Sequence, residues 1–117
     1  MGAAGSRETA AAARAFVDRV TTEHSVTVFS KTYCPYCTMA KDVLNEADVQ
    51  YHVVELDTMT GHEFSGADVQ NALATATGRR TVPNVFIKKE SIGGGTDVQA
   101  LFQSGKLIDM LRSAGAL

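Results

Sequence analysis

Apolar residues recur along this 117-residue chain with two different spacings, one typical of helices and one typical of strands. Near the N-terminus they follow a helical period, which predicts an amphipathic helix over residues 7–23. The apolar face of that helix consists of Ala13, Phe16, Val17 and Val20. Short runs of β-branched and aromatic residues between polar segments predict strands. In chain order, the elements predicted after the first helix are a strand over 26–30, a helix over 35–47, a strand over 51–56, a helix over 66–77, a strand over 84–87, a short strand over 91–92 and two C-terminal helical segments that begin at Thr96-Asp97.

The order of these elements predicts a sheet that mixes parallel and antiparallel strands. The first two strands are joined through a helix, and this arrangement is typical of a right-handed βαβ unit with parallel strands. The last two strands are separated only by the polar turn Lys88-Lys89-Glu90, which predicts a hairpin. Gly78 follows the helix over 66–77 and is predicted to end it. We therefore expect an α/β domain.

Composition and charge fit a single small domain. Hydrophobic residues make up 44% of the chain, which is enough for a packed core. Lys plus Arg is 11 and Asp plus Glu is 13, giving a formal net charge of −2. We expect no nucleic-acid partner, because such a partner favours a basic domain, and no apolar run approaches the ~20 residues of a membrane span. We expect a cytoplasmic monomer with a domain over 7–117 and a flexible N-terminus over 1–6.

The N-terminal residues permit two further interpretations. Residues 1–6 match the M-G-x-x-x-[ST] pattern of N-myristoylation, but the match is short and rich in alanine and glycine, so we favour chance. An alanine-rich stretch that carries Arg is also typical of organelle transit peptides. We disfavour that interpretation because Glu8 and Asp18 interrupt the stretch and the helix is expected to belong to the fold.

The two cysteines of the chain lie three positions apart, in Cys34-Pro35-Tyr36-Cys37. They fall where the first strand ends and the next helix begins, a position typical of redox-active dithiols. Cys34 is predicted at the N-cap, facing unpaired N–H groups and the positive end of the helix dipole, and Pro35 suits the first helical position. Helix N-termini and cationic neighbours, here Lys31, favour the thiolate. Cys34 is therefore the candidate nucleophile, and Cys37, a turn deeper and more shielded, is the candidate resolving thiol.

Two other uses of a cysteine pair have less support. A structural zinc site usually needs four ligands, but the chain has no second cysteine pair, and its histidines are scattered without ligand spacing. These histidines are His24, His52 and His62. A static structural disulfide is typical of small secreted chains with many cysteines. We therefore expect no metal and favour the redox dithiol.

Three segments together resemble the dithiol class of the glutaredoxin family. They are K-T-Y-C-P-Y-C over 31–37, T-V-P over 81–83 and G-G-G-T-D over 93–97. Cys-x-x-Cys alone has low specificity, whereas the three segments in this order are highly specific and the resemblance covers about residues 10–115. It implies a thioredoxin-like fold, in which a four-stranded mixed β-sheet is flanked by helices on both faces.

The resemblance also implies a glutathione-binding site around the dithiol. Pro83 is expected in the cis form, which leaves the backbone of Val82 free to pair with the cysteinyl unit of glutathione. Helix N–H groups at Gly95-Thr96-Asp97 would hold the γ-glutamyl carboxylate, and the Asp97 carboxylate would hold the adjacent amine. A plain helix cap is the alternative role for Thr96 and Asp97.

The glycyl end of glutathione is assigned to other residues by the same resemblance. Lys31, Gln70 and Arg80 match positions that hold its carboxylate, which Arg can bind with two parallel hydrogen bonds. A solvated surface is the alternative for Gln70 and Arg80, and Arg79 is expected to be a surface charge. The implied substrate-binding residues are Lys31, Tyr36, Gln70, Arg80, Thr81, Val82, Pro83, Gly95, Thr96 and Asp97, with Tyr36 as a wall of the groove.

The implied function is that of a glutathione-dependent thiol–disulfide oxidoreductase. Its co-substrate would be glutathione or a related thiol, and its partners would be glutathionylated or disulfide-bonded proteins. An alternative from another class is a carrier of a [2Fe–2S] cluster, bridged between two subunits by the first cysteine of each and by two glutathiones. Pro35 and Tyr36 would crowd such a cluster. A redox-inert peptide-binding module is a further alternative, which would require Cys34 to be unreactive.

Overall fold

The computed structural model describes the backbone of residues 2–117 and the side chains of residues 7–117. Within this part of the chain the elements are α1 (Gly2–Glu23), β1 (Val26–Ser30), α2 (Pro35–Glu46), β2 (His52–Glu55), α3 (Gly66–Thr77), β3 (Asn84–Ile87), β4 (Glu90–Gly93), α4 (Gly95–Gln103) and α5 (Lys106–Ser113). None of the helices in residues 2–117 combines the length and the apolar content needed to cross a membrane. The flexible terminus and the myristoylation pattern fall on residues 1–6, outside the described side chains, and stay predictions.

The sheet has the strand order β2-β1-β3-β4 and mixes both directions of pairing. β1 is parallel to β2 and antiparallel to β3, and β4 pairs antiparallel with β3. These pairings confirm the predicted βαβ unit and the predicted hairpin. β1, α3 and β3 have the predicted bounds, but β2 lacks Tyr51 and Leu56, and β4 is one residue longer at each end than predicted. The Tyr51 hydroxyl instead bonds Asn45 Oδ1 of α2 at 2.9 Å, beside the start of the strand.

The hydrophobic core lies in two layers, one on each face of the sheet. α1 and α3 cover one face, where the apolar stripe predicted for α1 packs in the same cluster as Phe29 and Phe86. The other face is covered by α2, α4 and α5, which bury Leu44, Leu107 and Leu111 completely. Full burial of a side chain of this size contributes about 1.5–3 kcal/mol. Helices on both faces of a four-stranded mixed sheet confirm the predicted architecture.

The carboxyl ends of β1 and β2 meet at one edge of the sheet, because the two strands are parallel. Thr32 follows β1, and Asp57 follows β2. The Thr32 N–H donates to Asp57 Oδ1 at 3.0 Å, and the Thr32 hydroxyl donates to Asp57 Oδ2. These hydrogen bonds lower the pKa of Asp57. They join the two loops and so support the segment that leads from β1 to Cys34.

Candidate active site

Cys34 is the N-cap residue of α2, as predicted. Its backbone is extended, with φ −94° and ψ 116°, and Pro35 follows at the start of the helix. The Cys37 N–H donates to Cys34 Sγ at 3.3 Å. The same N–H also donates to Cys34 O at 3.1 Å, in the first turn of the helix. The partly exposed sulfur of Cys34 therefore faces the N-terminus of α2, the positive end of the helix dipole, and remains within reach of a substrate.

Cys37 lies one turn further into α2 and is completely buried. Burial is the largest cause that raises the pKa of the Cys37 thiol, followed by its hydrogen bond with Cys34. Hydrogen bonds with the Lys31 backbone and the Ser30 side chain lower the pKa of Cys37 and partly offset this rise. Both cysteines are free thiols in this structure. The predicted inequality of the two sulfurs, one accessible and one shielded, is confirmed by their burial.

The Thr81-Val82-Pro83 segment lies beside Cys34. The Val82–Pro83 peptide bond is cis, as the resemblance implies, and the Cys34 thiol donates to Val82 O at 3.7 Å. Thr81 is exposed, Val82 is half-buried and Pro83 is buried. The carbonyl of Val82 thus lies next to the partly exposed sulfur of Cys34, where a peptide-like substrate bound at that sulfur would meet it.

The glycine segment brings the start of α4 against the start of α2. A Cβ on Gly95 would lie 2.6 Å from Tyr36 O, so only glycine permits this approach. Asp97 Oδ2 accepts a hydrogen bond from the Gly94 N–H at 2.8 Å. This bond caps the N-terminus of α4, which is the alternative role that the sequence allowed for Asp97. Thr96 and Asp97 are nevertheless exposed at the surface. Asp97 therefore caps α4 and remains accessible to a ligand.

Two of the three residues expected at the glycyl end, Gln70 and Arg80, contact each other. Gln70, on α3, donates through Nε2 to the carbonyl oxygen of Arg80 at 2.9 Å, and the Arg80 guanidinium donates to Asn71 Oδ1. The structure thus brings Gln70 and Arg80 together, and their binding of the glycyl carboxylate stays a prediction. The Lys31 charge is among the causes that lower the pKa of Asp57. That the Lys31 charge also favours the thiolate of Cys34 stays a prediction.

Two features of this region were missed by the sequence analysis. Arg79 is a partly exposed surface charge, but it is also paired, because its Nη2 lies 2.9 Å from Asp97 Oδ2. The hydrogen bonds between Thr32 and Asp57 were not anticipated either. For Asp57, the signal was available, since residues that follow neighbouring parallel strands meet at one edge. For Arg79 no local pattern pointed to a partner 18 positions away.

Tyr36 is 56% exposed and Tyr33 is 72% exposed, and the two residues flank Cys34 in the sequence. Aromatic side chains that are exposed singly are common on protein surfaces and do not by themselves mark a binding site. The place of Tyr36 at the wall of the groove therefore stays a prediction, and Tyr33 was not predicted from the sequence to bind a ligand.

Comparisons with known proteins agree on one family. The Glutaredoxin family model matches residues 26–92. A glutaredoxin of Vernicia fordii is 53% identical over 94 residues, covering 80% of this chain and 86% of the relative. Glutaredoxin-C2 of Arabidopsis thaliana is 46% identical over 98 residues, covering 84% and 85%. Among solved structures, a buckwheat glutaredoxin–glutathione complex has a TM-score of 0.86 at 37% identity, covering 94% of this chain and 96% of that one. Reduced glutaredoxin C1 of Populus tremula x tremuloides has a TM-score of 0.87 at 40% identity, covering 95% and 92%.

Proposed function

This chain belongs to the glutaredoxin family of thiol–disulfide oxidoreductases, and we propose that it reduces glutathionylated proteins and protein disulfides with glutathione as the reductant. The observation that carries the proposal is the unequal placement of the two thiols. Cys34 is accessible at a helix N-terminus, and Cys37 is buried a turn below it. A nucleophile of this kind attacks a disulfide, and a shielded second thiol within reach resolves the product.

The reaction proceeds by two thiol–disulfide exchanges. In the first, the Cys34 thiolate attacks the glutathione sulfur of a mixed disulfide. A new S–S bond joins Cys34 to glutathione, and the client sulfur leaves as a thiolate that takes up a proton. In the second exchange, the thiolate of another glutathione attacks the adduct. Glutathione disulfide leaves, and Cys34 returns to the thiolate. One free glutathione is consumed for each client thiol released, because the other half of the glutathione disulfide comes from the mixed disulfide itself.

A protein disulfide follows a different second step. Attack by Cys34 leaves the client joined to the enzyme through one sulfur. The Cys37 thiol, deprotonated, then attacks Cys34 Sγ and releases the client as a dithiol, leaving a Cys34–Cys37 disulfide that two glutathiones reduce. The Cys37 N–H lies 3.3 Å from Cys34 Sγ, so the two residues are already in contact. A disulfide requires only a modest adjustment from this distance.

Glutathione binding is proposed at the surface around Cys34. The accessible backbone of Val82, 3.7 Å from the sulfur, suits the cysteinyl unit. The start of α4, with Thr96 and Asp97, suits the γ-glutamyl end, where a carboxylate gains from helix N–H groups. Gln70 and Arg80 suit the glycyl carboxylate, because the hydrogen bond from Gln70 Nε2 to the backbone carbonyl of Arg80 holds the two residues side by side. The similar buckwheat glutaredoxin forms a complex with glutathione, which supports the same ligand for this chain.

The iron–sulfur alternative has less support. Cluster binding would use Cys34 of two chains, and the side chain of Tyr36 stands exposed beside that sulfur. The cytoplasmic location and the monomeric state stay predictions. One similar protein, from rice, is described as chloroplastic, and that description concerns the relative.

Two single substitutions test the proposed function. Cys34→Ser should abolish reduction of both a glutathione mixed disulfide and a protein disulfide, because it removes the nucleophile. Cys37→Ser should retain reduction of the mixed disulfide and lose most reduction of the protein disulfide, because only the second reaction needs the resolving thiol. Turnover with each substrate is measured with glutathione and glutathione reductase. Equal loss of mixed-disulfide reduction in the two variants would contradict the assignment.

A further inference from the structure

The γ-glutamyl end of the proposed site carries a cation. Arg79 Nη2 lies 2.9 Å from Asp97 Oδ2, and Arg79 Nη1 lies 3.3 Å from Thr81 Oγ1. The guanidinium also lies directly against the Gly94 backbone, since a Cβ on Gly94 would be 2.7 Å from Nη1. About a third of the Arg79 side chain and half of the Asp97 side chain are exposed, at 35% and 49%. The guanidinium therefore bridges two segments that are proposed to bind glutathione and remains open to a ligand.

The main chain of Arg79 is held in place by its neighbours. Gly78 ends α3 in the left-handed region, with φ 80°, and the Arg79 N–H donates to Thr77 Oγ1 at 3.1 Å. Asn84, which is completely buried, donates to the same oxygen at 3.2 Å. The start of the side chain is thus fixed relative to β3. A cation that is positioned before the ligand arrives loses less conformational entropy on binding.

The charges at this end match those of an α-amino acid group. The γ-glutamyl unit carries a carboxylate and an ammonium on the same carbon atom. Asp97 supplies the negative charge, and Arg79 and the start of α4 supply positive charge. Oδ2 accepts both hydrogen bonds that the Asp97 carboxylate receives within residues 7–117, from Gly94 and from Arg79. The other carboxylate oxygen, Oδ1, is left for a ligand.

Resting on the function proposed above, we propose that Arg79 is a specificity-determining residue that binds the α-carboxylate of the γ-glutamyl unit while Asp97 Oδ1 receives the adjacent ammonium. Arg presents a planar set of donors that suits a carboxylate. The same guanidinium keeps the Asp97 carboxylate oriented, so the pair recognises both charges of the amino acid group together. A thiol that lacks either charge would leave one member of the pair unmatched.

The test combines changes in the protein with changes in the substrate. The substrates are mixed disulfides of mercaptoethanol with glutathione, with glutaryl-cysteinyl-glycine, which lacks the α-amine, and with γ-aminobutyryl-cysteinyl-glycine, which lacks the α-carboxylate. The variants are Arg79→Gln, Arg79→Lys and Asp97→Asn, and Asn keeps an oxygen to cap α4. Arg112→Gln is the matched control, because Arg112 is exposed on α5. The rate constant of the first thiol exchange is measured in a single turnover with reduced protein.

Arg79→Gln should slow exchange with the glutathione disulfide about two- to fivefold, the range of an accessible charge pair. The loss should persist for the substrate without the amine and disappear for the substrate without the carboxylate. Arg79→Lys should recover part of the rate. The loss caused by Asp97→Asn should persist for the substrate without the carboxylate and disappear for the substrate without the amine. Arg112→Gln should match the wild-type protein with all three substrates.

Three results would overturn the inference. An equal loss with all three substrates would make Arg79 a support for the loop. A faster reaction in Arg79→Gln would mean that the guanidinium competes with the ammonium for Asp97. An unchanged rate in Arg79→Gln would mean that Arg79 does not contact the ligand.

Binding of the S-methyl derivatives of the same three thiols, measured by calorimetry, separates this inference from the proposed function, since it needs no reactive cysteine. The same pattern of changes in Kd would support the proposed role of Arg79 even if the wild-type protein did not exchange thiols. A failure to exchange thiols would overturn only the proposed reaction. Equal Kd values for wild type and Arg79→Gln with S-methylglutathione would overturn the inference about Arg79.

Discussion

Gly95 is the point at which a single methyl group should disturb both stability and thiol exchange. A Cβ at this position would lie 2.6 Å from Tyr36 O and 3.4 Å from Met39 Sδ. Tyr36 O belongs to the backbone of the first turn of α2, so it cannot rotate away. It must move by about 0.8 Å to reach 3.4 Å, where ordinary contact begins. We therefore expect Gly95→Ala to separate the start of α4 from the start of α2.

Two opposing contributions set the size of the effect of Gly95→Ala on stability. Forcing a methyl group into a well-packed contact typically costs about 1–3 kcal/mol. Replacing Gly by Ala within a helix restores about 0.5–1 kcal/mol. We expect the free energy of unfolding to fall by about 1 kcal/mol, because the steric cost exceeds the gain in helix propensity.

The effect of Gly95→Ala on thiol exchange should be larger than its effect on stability. The start of α4 carries Thr96 and Asp97, and the start of α2 carries both cysteines. Misplacing groups that position a substrate by about 1 Å can reduce the rate ~10²-fold, so a shift approaching that size should slow exchange with a glutathione mixed disulfide on the order of tenfold.

Ala100→Gly is the matched control for Gly95→Ala. Ala100 is exposed on the same helix, α4, so the change should lower stability by about 0.5–1 kcal/mol without altering the contact with α2. Urea unfolding followed by circular dichroism gives the stability, and a single-turnover reaction gives the exchange rate. The reasoning is refuted if Gly95→Ala is as stable as the wild-type protein and reacts at the same rate. A loss of stability with an unchanged rate would refute the link to the site.

Three further predictions concern the remainder of the domain. Leu44→Ala should lower the free energy of unfolding by about 2–5 kcal/mol, because Leu44 is completely buried between α2 and the sheet, and urea unfolding checks this. Burial, and then the charge of the stacked His24, lower the pKa of His52 below 6.5. The unfolded chain therefore binds a proton at His52 more readily than the folded protein does, so the free energy of unfolding should decrease as the pH falls below 6.5. His52→Gln should weaken this pH dependence, which is measured by unfolding the protein at several pH values. Asp57→Asn should weaken the two hydrogen bonds from Thr32 and speed deuterium exchange at the Thr32 amide, and an unchanged exchange rate would contradict that role.

Local signals were sufficient for most of the secondary structure. β1 and β3 are short apolar runs with polar flanks, and α3 is bounded by Ser65, which caps it, and by Gly78, which ends it in the left-handed region. Each of these bounds depends on residues close by in the chain. The ends of β2 differ from the prediction by one residue each, and the Leu56 N–H still donates to Ser30 O of β1 at 2.8 Å.

In the candidate site, too, local features could be predicted from the sequence and contacts between distant segments could not. Cys34 at the N-cap and Cys37 one turn below follow from the helix start and from helical spacing alone. From the sequence, the run of glycines predicts only that something approaches the backbone closely at the start of α4. The sequence does not say that the approaching atom belongs to α2. The Arg79–Asp97 ion pair joins α4 to the loop that follows α3, and its existence depends on how β3 and β4 place these segments.

The Arg79–Asp97 pair is difficult to explain as a stabilising feature. Ion pairs that remain accessible to water contribute only about 0.2–1 kcal/mol. The hydrogen bond from the Gly94 N–H to Asp97 already caps α4 at 2.8 Å and does not require Arg79. A neutral side chain at position 79 would leave that cap in place. The cation therefore adds little to folding, whereas it changes the charge that a ligand meets beside the thiols. The Arg79 N–H is bonded to Thr77, which the buried Asn84 also contacts. The guanidinium therefore extends from a fixed backbone at the place where we propose that the amino acid end of a γ-glutamyl thiol binds.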